Sequence, residues 1–411
     1  MQSAVLAMAS QQPPQRRRLL PPPLAIPREP TPTTIIGLGD DLILEIFLRL
    51  PSLPSLIRAA LACRAFLAAV RSSPAFRRRF HQLHPPPLLG FFFHPNGSET
   101  PPFTPIRRRS DPDLAAAVRG ADVFLTRLPY PDDASPGWEF LMCHGGNLTL
   151  CNYKTRQIAA YNPLTGALDL LPLPDGIYNS FVFLSSEETP GSFRVVAIYH
   201  RRPEMRAAFF SSSTMEWQTL VLSEPAMAEP SRNKYSLLPG TLLSGYVYWP
   251  HKTESYMLVM DTTMLQLSCI DLPVHLKGLV DTYMVGETKV GRLCIVSAIE
   301  FTLFVWFRRA NADGVEEWMC DSVIPLEAEV LRATGGSRDN HHVLKVWDVI
   351  DGTVYLSTFE TFRNPKSPSW FLSFCLETRT LEKLFQKTFD NEGFPYIMAW
   401  PPSLVRNNVS D

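Results

Sequence analysis

A pattern of strand end, turn and following strand recurs about every 50 residues along most of the chain. In its clearest copies, an apolar strand end is followed by a polar turn residue, which is Asn162, Ser211, Asp261 or Glu377. The position six residues later holds Leu168, Trp217, Leu267 or Lys383. Trp318 fits as a further member of this position, after a longer turn. The successive spacings are 49, 50, 51 and 65 residues, so the chain repeats a unit built of strands and turns.

A repeat of this length and composition is typical of the blades of a kelch-like propeller. Each blade is a small sheet that buries its faces against its neighbours, and closure of the ring protects the sheet edges. Runs rich in β-branched and aromatic residues supply the predicted strands, which are Leu89–Phe93, Phe193–Tyr199, Tyr246–Trp249, Leu293–Ile299, Leu303–Phe307, Val343–Val349, Val354–Leu356 and Trp370–Cys375.

Five of these units are clear from the sequence. A sixth is expected from the closure of the first and last strands, with Leu88–Phe93 or Ala121–Leu125 joined to Phe394–Trp400. The alternative fold is a two-sheet sandwich, which should not show a period of about 50 residues. The period therefore favours the propeller.

Charge is distributed unevenly along the chain. Residues 1–110 contain 14 Arg, no Lys and 5 acidic residues, a net charge of +9, whereas the rest contains 25 basic and 35 acidic residues, a net charge of −10. The sum of −1 argues against a protein whose whole surface binds nucleic acid or membrane.

Residues 1–34 include eight Pro and are predicted to form an extended tail. Arg16–Arg18 in that tail is either a solvated run or a nuclear localisation patch.

Helix signals are concentrated between this tail and Pro85–Pro87. Asp40 and Asp41 precede a run of strong helix formers, and Pro74 lies at a position suited to a first helical turn. The predicted helices are a first one over Leu42–Leu50 ended by Pro51, a second one capped by Ser55 and running through Cys63, a third over Arg64–Arg71 and a fourth from Pro74 to about His81.

The first of these helices is more apolar than one buried face requires. Seven of its nine positions are apolar, namely Leu42, Ile43, Leu44, Ile46, Phe47, Leu48 and Leu50. A helix with one face in a core needs roughly three or four apolar positions in seven. Because burial of each such side chain contributes about 1.5–3 kcal/mol, the surplus is expected to pack against a partner or against the rest of the chain. Composition leaves both readings open.

The sequence contains none of the common catalytic or cofactor motifs that we sought. Gly-x-Ser-x-Gly, Gly-x-x-x-x-Gly-Lys, Gly-x-Gly-x-x-Gly and His-Glu-x-x-His are all missing. The seven Cys include no Cys-x-x-Cys pair, and Cys143, His144 and Cys151 have no fourth ligand at a usual spacing. The sequence therefore predicts no catalytic residue, no cofactor and no metal, and the Cys usage fits a reducing compartment. Nucleic acid and membrane are not expected partners.

The helical segment resembles an F-box over residues 36–81. The resemblance is carried by Leu38–Pro51, which has a leucine-rich run ending Arg-Leu-Pro, by Ala62-Cys63-Arg64-Ala65-Phe66 and by Ser73-Pro74-Ala75-Phe76-Arg77. Gly39 stands where the F-box pattern usually has proline, and Phe66 stands where it commonly has tryptophan. The layout of the whole chain is similar to that of plant F-box proteins with a carboxy-terminal, kelch-like propeller of the F-box-associated kind.

This resemblance implies an α+β multidomain protein with a small N-terminal all-α F-box helical bundle, followed by an all-β propeller-like domain. The expected divisions are a disordered Pro- and Arg-rich tail over residues 1–34, the F-box over 35–82, a linker with the first propeller strands over 83–120, and the propeller over 121–411.

The function that the resemblance implies is substrate recognition in an SCF-type (Skp adaptor–cullin–F-box) ubiquitin ligase, in the cytoplasm, the nucleus or both. The F-box would bind the Skp-type adaptor and through it a cullin, while the propeller would bind an unknown protein target, with no catalytic step of its own. The adaptor contacts carried over by position are Leu38, Ile46, Leu50, Pro51, Cys63 and Phe66.

Two other function classes remain open at this point. The propeller could be a protein-, peptide- or glycan-binding module that acts outside a ubiquitin ligase. It could also be a kelch-type oxidase or another propeller enzyme, which would require a metal or redox site.

Overall fold

The computed structural model describes fourteen stretches of the chain, which are residues 38–95, 100–106, 111–129, 137–176, 180–185, 193–201, 204–222, 237–251, 255–276, 283–310, 313–336, 343–359, 369–387 and 393–405. The predicted tail over residues 1–34 lies outside them. The chain divides into two compact units, residues 1–39 and residues 40–411, and the helices and strands of the described residues belong to the second.

Four short helices open the second unit, as the sequence predicts. They are α1 (Asp40–Phe47), α2 (Leu53–Leu61), α3 (Arg64–Ser72) and α4 (Pro74–Leu83). Helix α1 ends three residues earlier than predicted because the chain tightens there, with the Arg49 amide donating to the Ile46 carbonyl at 3.1 Å. The start of α4 is confirmed, since Pro74 is in the first turn and the Ser73 hydroxyl accepts from the Phe76 amide at 3.2 Å.

The prediction that Ser55 caps the second helix is wrong. Helix α2 begins at Leu53, with Ser52 at the N-cap position and Pro54 in the first turn, so Ser55 lies inside the helix. Proline is favoured in a first turn because it lacks the amide proton that would have no partner there. The Ser55 hydroxyl donates instead to Asp113 Oδ2 at 2.7 Å, which connects α2 to a helix that the sequence analysis missed.

The strands form six antiparallel sheets, which are the blades of a propeller and confirm the predicted fold. Blades 1 to 3 are β3 (Glu139–His144), β4 (Asn147–Asn152), β5 (Gln157–Asn162), β6 (Ala167–Pro172); β7 (Ser180–Ser185), β8 (Phe193–Arg201), β9 (Glu204–Ser211), β10 (Glu216–Leu222); and β11 (Thr241–Leu243), β12 (Tyr246–Pro250), β13 (Tyr256–Asp261), β14 (Leu267–Asp271). Blades 4 and 5 are β15 (Tyr283–Glu287), β16 (Leu293–Ile299), β17 (Thr302–Ala310), β18 (Glu316–Pro325); and β19 (Val343–Ile350), β20 (Thr353–Phe359), β21 (Ser369–Cys375), β22 (Leu381–Lys387).

The sixth blade is formed by the two ends of the propeller sequence. Strand β1 (Leu88–Phe93) lies between β2 (Phe103–Pro105) and β23 (Gly393–Ile397) in a three-stranded sheet. Phe92 is paired with Phe394 across the antiparallel β1–β23 ladder. The predicted closure through Leu88–Phe93 is therefore confirmed, whereas Ala121–Leu125 forms a turn. Strand β23 contacts β3 on one side and β19 on the other, which closes the ring.

The repeated position found in the sequence lies in the fourth strand of each of the first five blades. Two of its members, Trp217 and Trp318, bond to a neighbouring blade. The indole nitrogen of Trp217 donates to the Pro172 carbonyl at 2.7 Å, and that of Trp318 donates to the Asp271 carbonyl at 2.8 Å. Each carbonyl ends the fourth strand of the preceding blade, so each bond joins two neighbouring blades.

Hydrophobic clusters lie between adjacent blades, where a propeller is expected to have its core. One cluster joins blades 4 and 5 through residues such as Val296 and Leu356, and another joins blades 2 and 3 through Val182 and Trp249.

Two further helices, α5 (Pro112–Gly120) and α6 (Glu327–Thr334), interrupt the strands. No helix in the described part of the chain has the length and apolarity that crossing a bilayer requires.

Candidate functional site

Helix α1 divides its apolar side chains between the interior and the solvent. Ile43 and Phe47 are buried, whereas Leu42 is 57% exposed and Ile46 is 42% exposed. Leu42 and Ile46 are four residues apart and therefore share one face of the helix. Beneath that face, the Phe47 ring meets the Phe66 ring edge-on at 5.4 Å between centroids. One part of the apolar surplus thus builds the bundle, and the other part is open for a partner.

The six residues carried over as adaptor contacts differ in their exposure. Ile46 and Pro51 are exposed, and Leu38, Leu50 and Cys63 are half-buried. Phe66 is buried under α1, so in this structure its ring supports the helix from below. Among these six residues, the structure brings Leu50 and Pro51 together at one cavity.

That cavity has a volume of about 470 Å³ and lies between α2 and the start of α5. Asp111 caps α5 by accepting from the Asp113 and Leu114 amides, each at 3.0 Å. Asp113 in turn pairs with Arg58 of α2 at 3.1 Å. Helix α5 was not predicted from the sequence, although Asp111 followed by Pro112 is a typical helix start. The helical bundle therefore extends past α4 and includes a fifth helix beside the predicted contacts.

The bundle is attached to the propeller at the closing strand. Trp400, just after β23, has its ring 5.9 Å from that of Phe80 and 5.4 Å from that of His81, both in α4. The Arg71 guanidinium of α3 donates to the Ser403 carbonyl at 2.7 Å. Because these contacts join α3 and α4 to the end of the ring, a partner on α1 and a ligand on the propeller would be held on one body.

A second cavity, of about 210 Å³, lies between blades 4 and 5. Its wall includes β17, the β15–β16 turn, the β19–β20 turn and the β21–β22 turn. Lys289 Nζ is 3.6 Å from Glu377 Oε2, and Arg379 Nη2 donates to Ser322 Oγ at 3.1 Å. Burial raises the pKa of the Asp351 carboxyl to about 6, although Lys289 lowers it. None of these residues was predicted from the sequence to belong to a binding site.

The Cys143, His144 and Cys151 group that the sequence analysis considered does not form a metal site in the structure. Burial raises the pKa of the Cys143 thiol and lowers the pKa of His144, so the folded protein favours the neutral form of both. Across the residues that the structure describes, no group of three or more His, Cys, Asp or Glu is placed to hold a metal ion.

Asp348 makes the stability of the propeller dependent on pH. It lies at a β-bulge in β19, its carboxylate accepts from the Val349 amide at 2.8 Å, and burial raises its pKa from 3.8 to about 6. The folded state therefore binds this proton more tightly than the unfolded state does. The stabilisation by protonated Asp348 is full below about pH 4 and is lost as the pH rises through about 6.

We expect Asp348→Asn to raise the melting temperature at pH 7.5 by a few degrees, because the variant removes a carboxylate that is ionised in a poorly solvated place. The asparagine oxygen can still accept from the Val349 amide. Melting curves of both proteins between pH 5 and 7.5 measure the effect, with the exposed Asp175→Asn as control. If Asp348→Asn raised the melting temperature equally at pH 5 and at pH 7.5, the ionised carboxylate would not be the cause.

A family model described as "F-box protein AT5G49610-like, beta-propeller" matches residues 139–404. The chain belongs to this family. In this F-box protein-like propeller, the match begins with β3 and ends in the one-turn 3₁₀ helix Pro402–Leu404. It includes five whole blades and the closing strand β23, while α1–α5, β1 and β2 precede it.

Solved structures are similar to this chain only at low identity. The nidogen/laminin complex matches at 9% identity and a TM-score of 0.37, covering 74% of this chain and 96% of that one. A luciferin-regenerating enzyme matches at 9% identity and a TM-score of 0.35, covering 61% of this chain and 75% of that one. U3-55K matches at 9% identity and a TM-score of 0.32, covering 62% of this chain and 68% of that one. These likenesses are weak, and we conclude nothing about this chain from them. A search of curated protein sequences finds no match.

Proposed function

We propose that this chain is the substrate-recognition subunit of an SCF-type ubiquitin ligase, acting in the cytoplasm, the nucleus or both. The observation that carries the proposal is the exposed apolar face of α1, where Leu42 and Ile46 lie above a packed bundle. Two exposed apolar side chains that share one face of an ordered helix offer a partner an apolar surface to cover. In an F-box protein that partner is the Skp-type adaptor, which links the receptor to a cullin.

The propeller would hold the target. Its blades are fixed to one another by buried clusters and by the Trp217 and Trp318 indole bonds, so its surface turns are presented on a rigid ring. The attachment of the ring to α3 and α4 would keep the target at a set distance from the adaptor. The mechanism is therefore proximity, because tethering raises the local concentration of a target lysine to roughly the millimolar range. The chain itself has no catalytic role in this proposal.

Affinity purification of the full-length chain from its own organism, with the ligase inhibited, tests this proposal. We expect a Skp-type adaptor and a cullin to co-purify, together with target proteins. Failure of the wild-type chain to bind any Skp-type adaptor would overturn the proposal.

A second candidate function rests on the propeller alone, which is the part of the chain that the family model matches. The propeller would then be a binding module that acts outside a ligase. In that case targets would co-purify without adaptor or cullin, and substitutions on the exposed face of α1 would leave the function unchanged.

A further inference from the structure

The cavity between blades 4 and 5 has walls that are fixed by the backbone. The Gly352 amide donates to the Glu287 carbonyl at 2.8 Å, and the Leu376 amide donates to the Gly352 carbonyl at 2.9 Å. Gly352 has a φ of +73°, and a Cβ there would lie 3.0 Å from the Lys289 backbone nitrogen. Three turns from two blades are therefore held together around the cavity, and a ligand would meet a site that already exists.

One side of the cavity is apolar. Val305 and Phe307 of β17 are buried and lie on its wall, and Leu376 contributes from blade 5. Val290, at the tip of the β15–β16 turn, is 87% exposed at the rim. The volume of about 210 Å³ is below the roughly 300–1,000 Å³ of a pocket for a drug-sized molecule. A single long side chain with an aliphatic stem suits this size better than a cofactor does.

The charges around the cavity favour a cation. Asp351 lines it, and Asp351 Oδ2 is buried without a hydrogen-bond partner in the described part of the chain. Asp321 is already paired with Arg309, and the Arg379 guanidinium is bonded to Ser322. Lys289 Nζ lies 3.6 Å from Oε2 of Glu377, an exposed acid at the rim, and this distance is beyond that of an ordinary hydrogen bond. Asp351 Oδ2 therefore lacks a donor among the described residues, and a buried acceptor without a donor is unfavourable.

We propose that this cavity receives one lysine or arginine side chain from a segment of the target protein, with its aliphatic stem against Phe307 and Val305 and its charged end on Asp351. Long basic side chains commonly bury their stems on apolar surface and direct the charge to a polar partner. An anionic side chain would instead meet an unpaired carboxylate. This inference rests on the proposed function, since it identifies the target-binding site of the receptor.

Immobilised peptide libraries of seven residues test it, each with random flanks and one fixed central residue. We expect the full-length protein to bind the Lys or Arg library about 10- to 100-fold more tightly than the Gln library, as is typical for hydrogen bonds to a charged group. The two basic libraries also show which of the two side chains the cavity prefers. Equal binding to the Lys, Arg and Gln libraries, or selection of a Glu library, would overturn the inference.

Asp351→Asn is the variant that isolates the charge. Asp351 has a φ of +49°, a conformation that asparagine tolerates well, so the turn should keep its shape. We expect the variant to melt no lower than the wild type and to lose its preference for basic peptides, while Asp175→Asn, which removes an exposed carboxylate elsewhere, keeps it. Retention of the preference by Asp351→Asn would also overturn the inference.

Adaptor binding by Asp351→Asn, measured separately, should equal that of the wild type, so failure of this inference and failure of the proposed function can be told apart.

Discussion

Ile46→Asp is expected to reduce the affinity for a Skp-type adaptor by about 100-fold or more while leaving the protein folded. Ile46 is 42% exposed in the free chain, so the new carboxylate is solvated there and should change stability by only about 0.5 kcal/mol. In the complex the same carboxylate would be buried in an apolar interface without a partner. Truncation of a central apolar contact alone often costs about 2–4 kcal/mol, and a buried unpaired charge adds to that cost.

Leu83→Asp is the matched control for this substitution. Leu83 is 52% exposed and ends α4, outside the six adaptor contacts carried over by position. Isothermal titration of the purified adaptor with wild type, Ile46→Asp and Leu83→Asp measures the three affinities, and thermal melts confirm that each protein is folded. Equal loss of affinity in both variants would indicate a nonspecific effect of added charge. Unchanged affinity in Ile46→Asp would remove α1 from the adaptor interface.

The sequence was sufficient for the propeller because the repeated position recurs in the fourth strand of each of the first five blades. Trp217 and Trp318 join neighbouring blades through their indole nitrogens, and this role fixes their place in the fourth strand. Closure by Leu88–Phe93 was also predictable, because an unpaired first strand and an unpaired last strand can satisfy each other. Ser55 was misassigned because Pro54 favours the first turn of a helix, and the N-cap is Ser52, three residues earlier. Helix α5 was missed although Asp111 and Pro112 are typical of a helix start.

The candidate sites were less predictable for two different reasons. On α1, only Glu45 and Arg49 of the nine predicted positions are polar, and this polar stripe is too narrow to show which of the seven apolar side chains point outward. Exposure of Leu42 and Ile46 became evident only from the packing of Phe47 on Phe66. The cavity between blades 4 and 5 combines turns that are far apart in sequence, near residues 289, 351 and 377. Turn residues carry no periodic signal, and only the contact between two blades brings these three turns together.

The largest effect on stability is expected at the closing strand, where Phe91→Ala should lower the free energy of unfolding by about 3–5 kcal/mol. Phe91 of β1 is fully buried, and its ring centroid lies 5.2 Å from that of Phe371, 5.5 Å from that of Phe385 and 5.9 Å from that of Tyr355. All three partners belong to blade 5, so the substitution leaves a cavity between the closing blade and its neighbour.

Phe124→Ala is the control, since Phe124 is 75% exposed and the same truncation there should cost about 0.5 kcal/mol or less. Urea unfolding of both variants, followed by tryptophan fluorescence, measures the difference. A loss at Phe91 no larger than that at Phe124 would mean that the joining of the first and last strands contributes little to the ring. The predicted loss should also affect the proposed adaptor surface, because Trp400, which packs against α4, comes directly after the strand that pairs with β1. Under partly denaturing conditions, Phe91→Ala should therefore weaken adaptor binding even though Phe91 lies outside that interface.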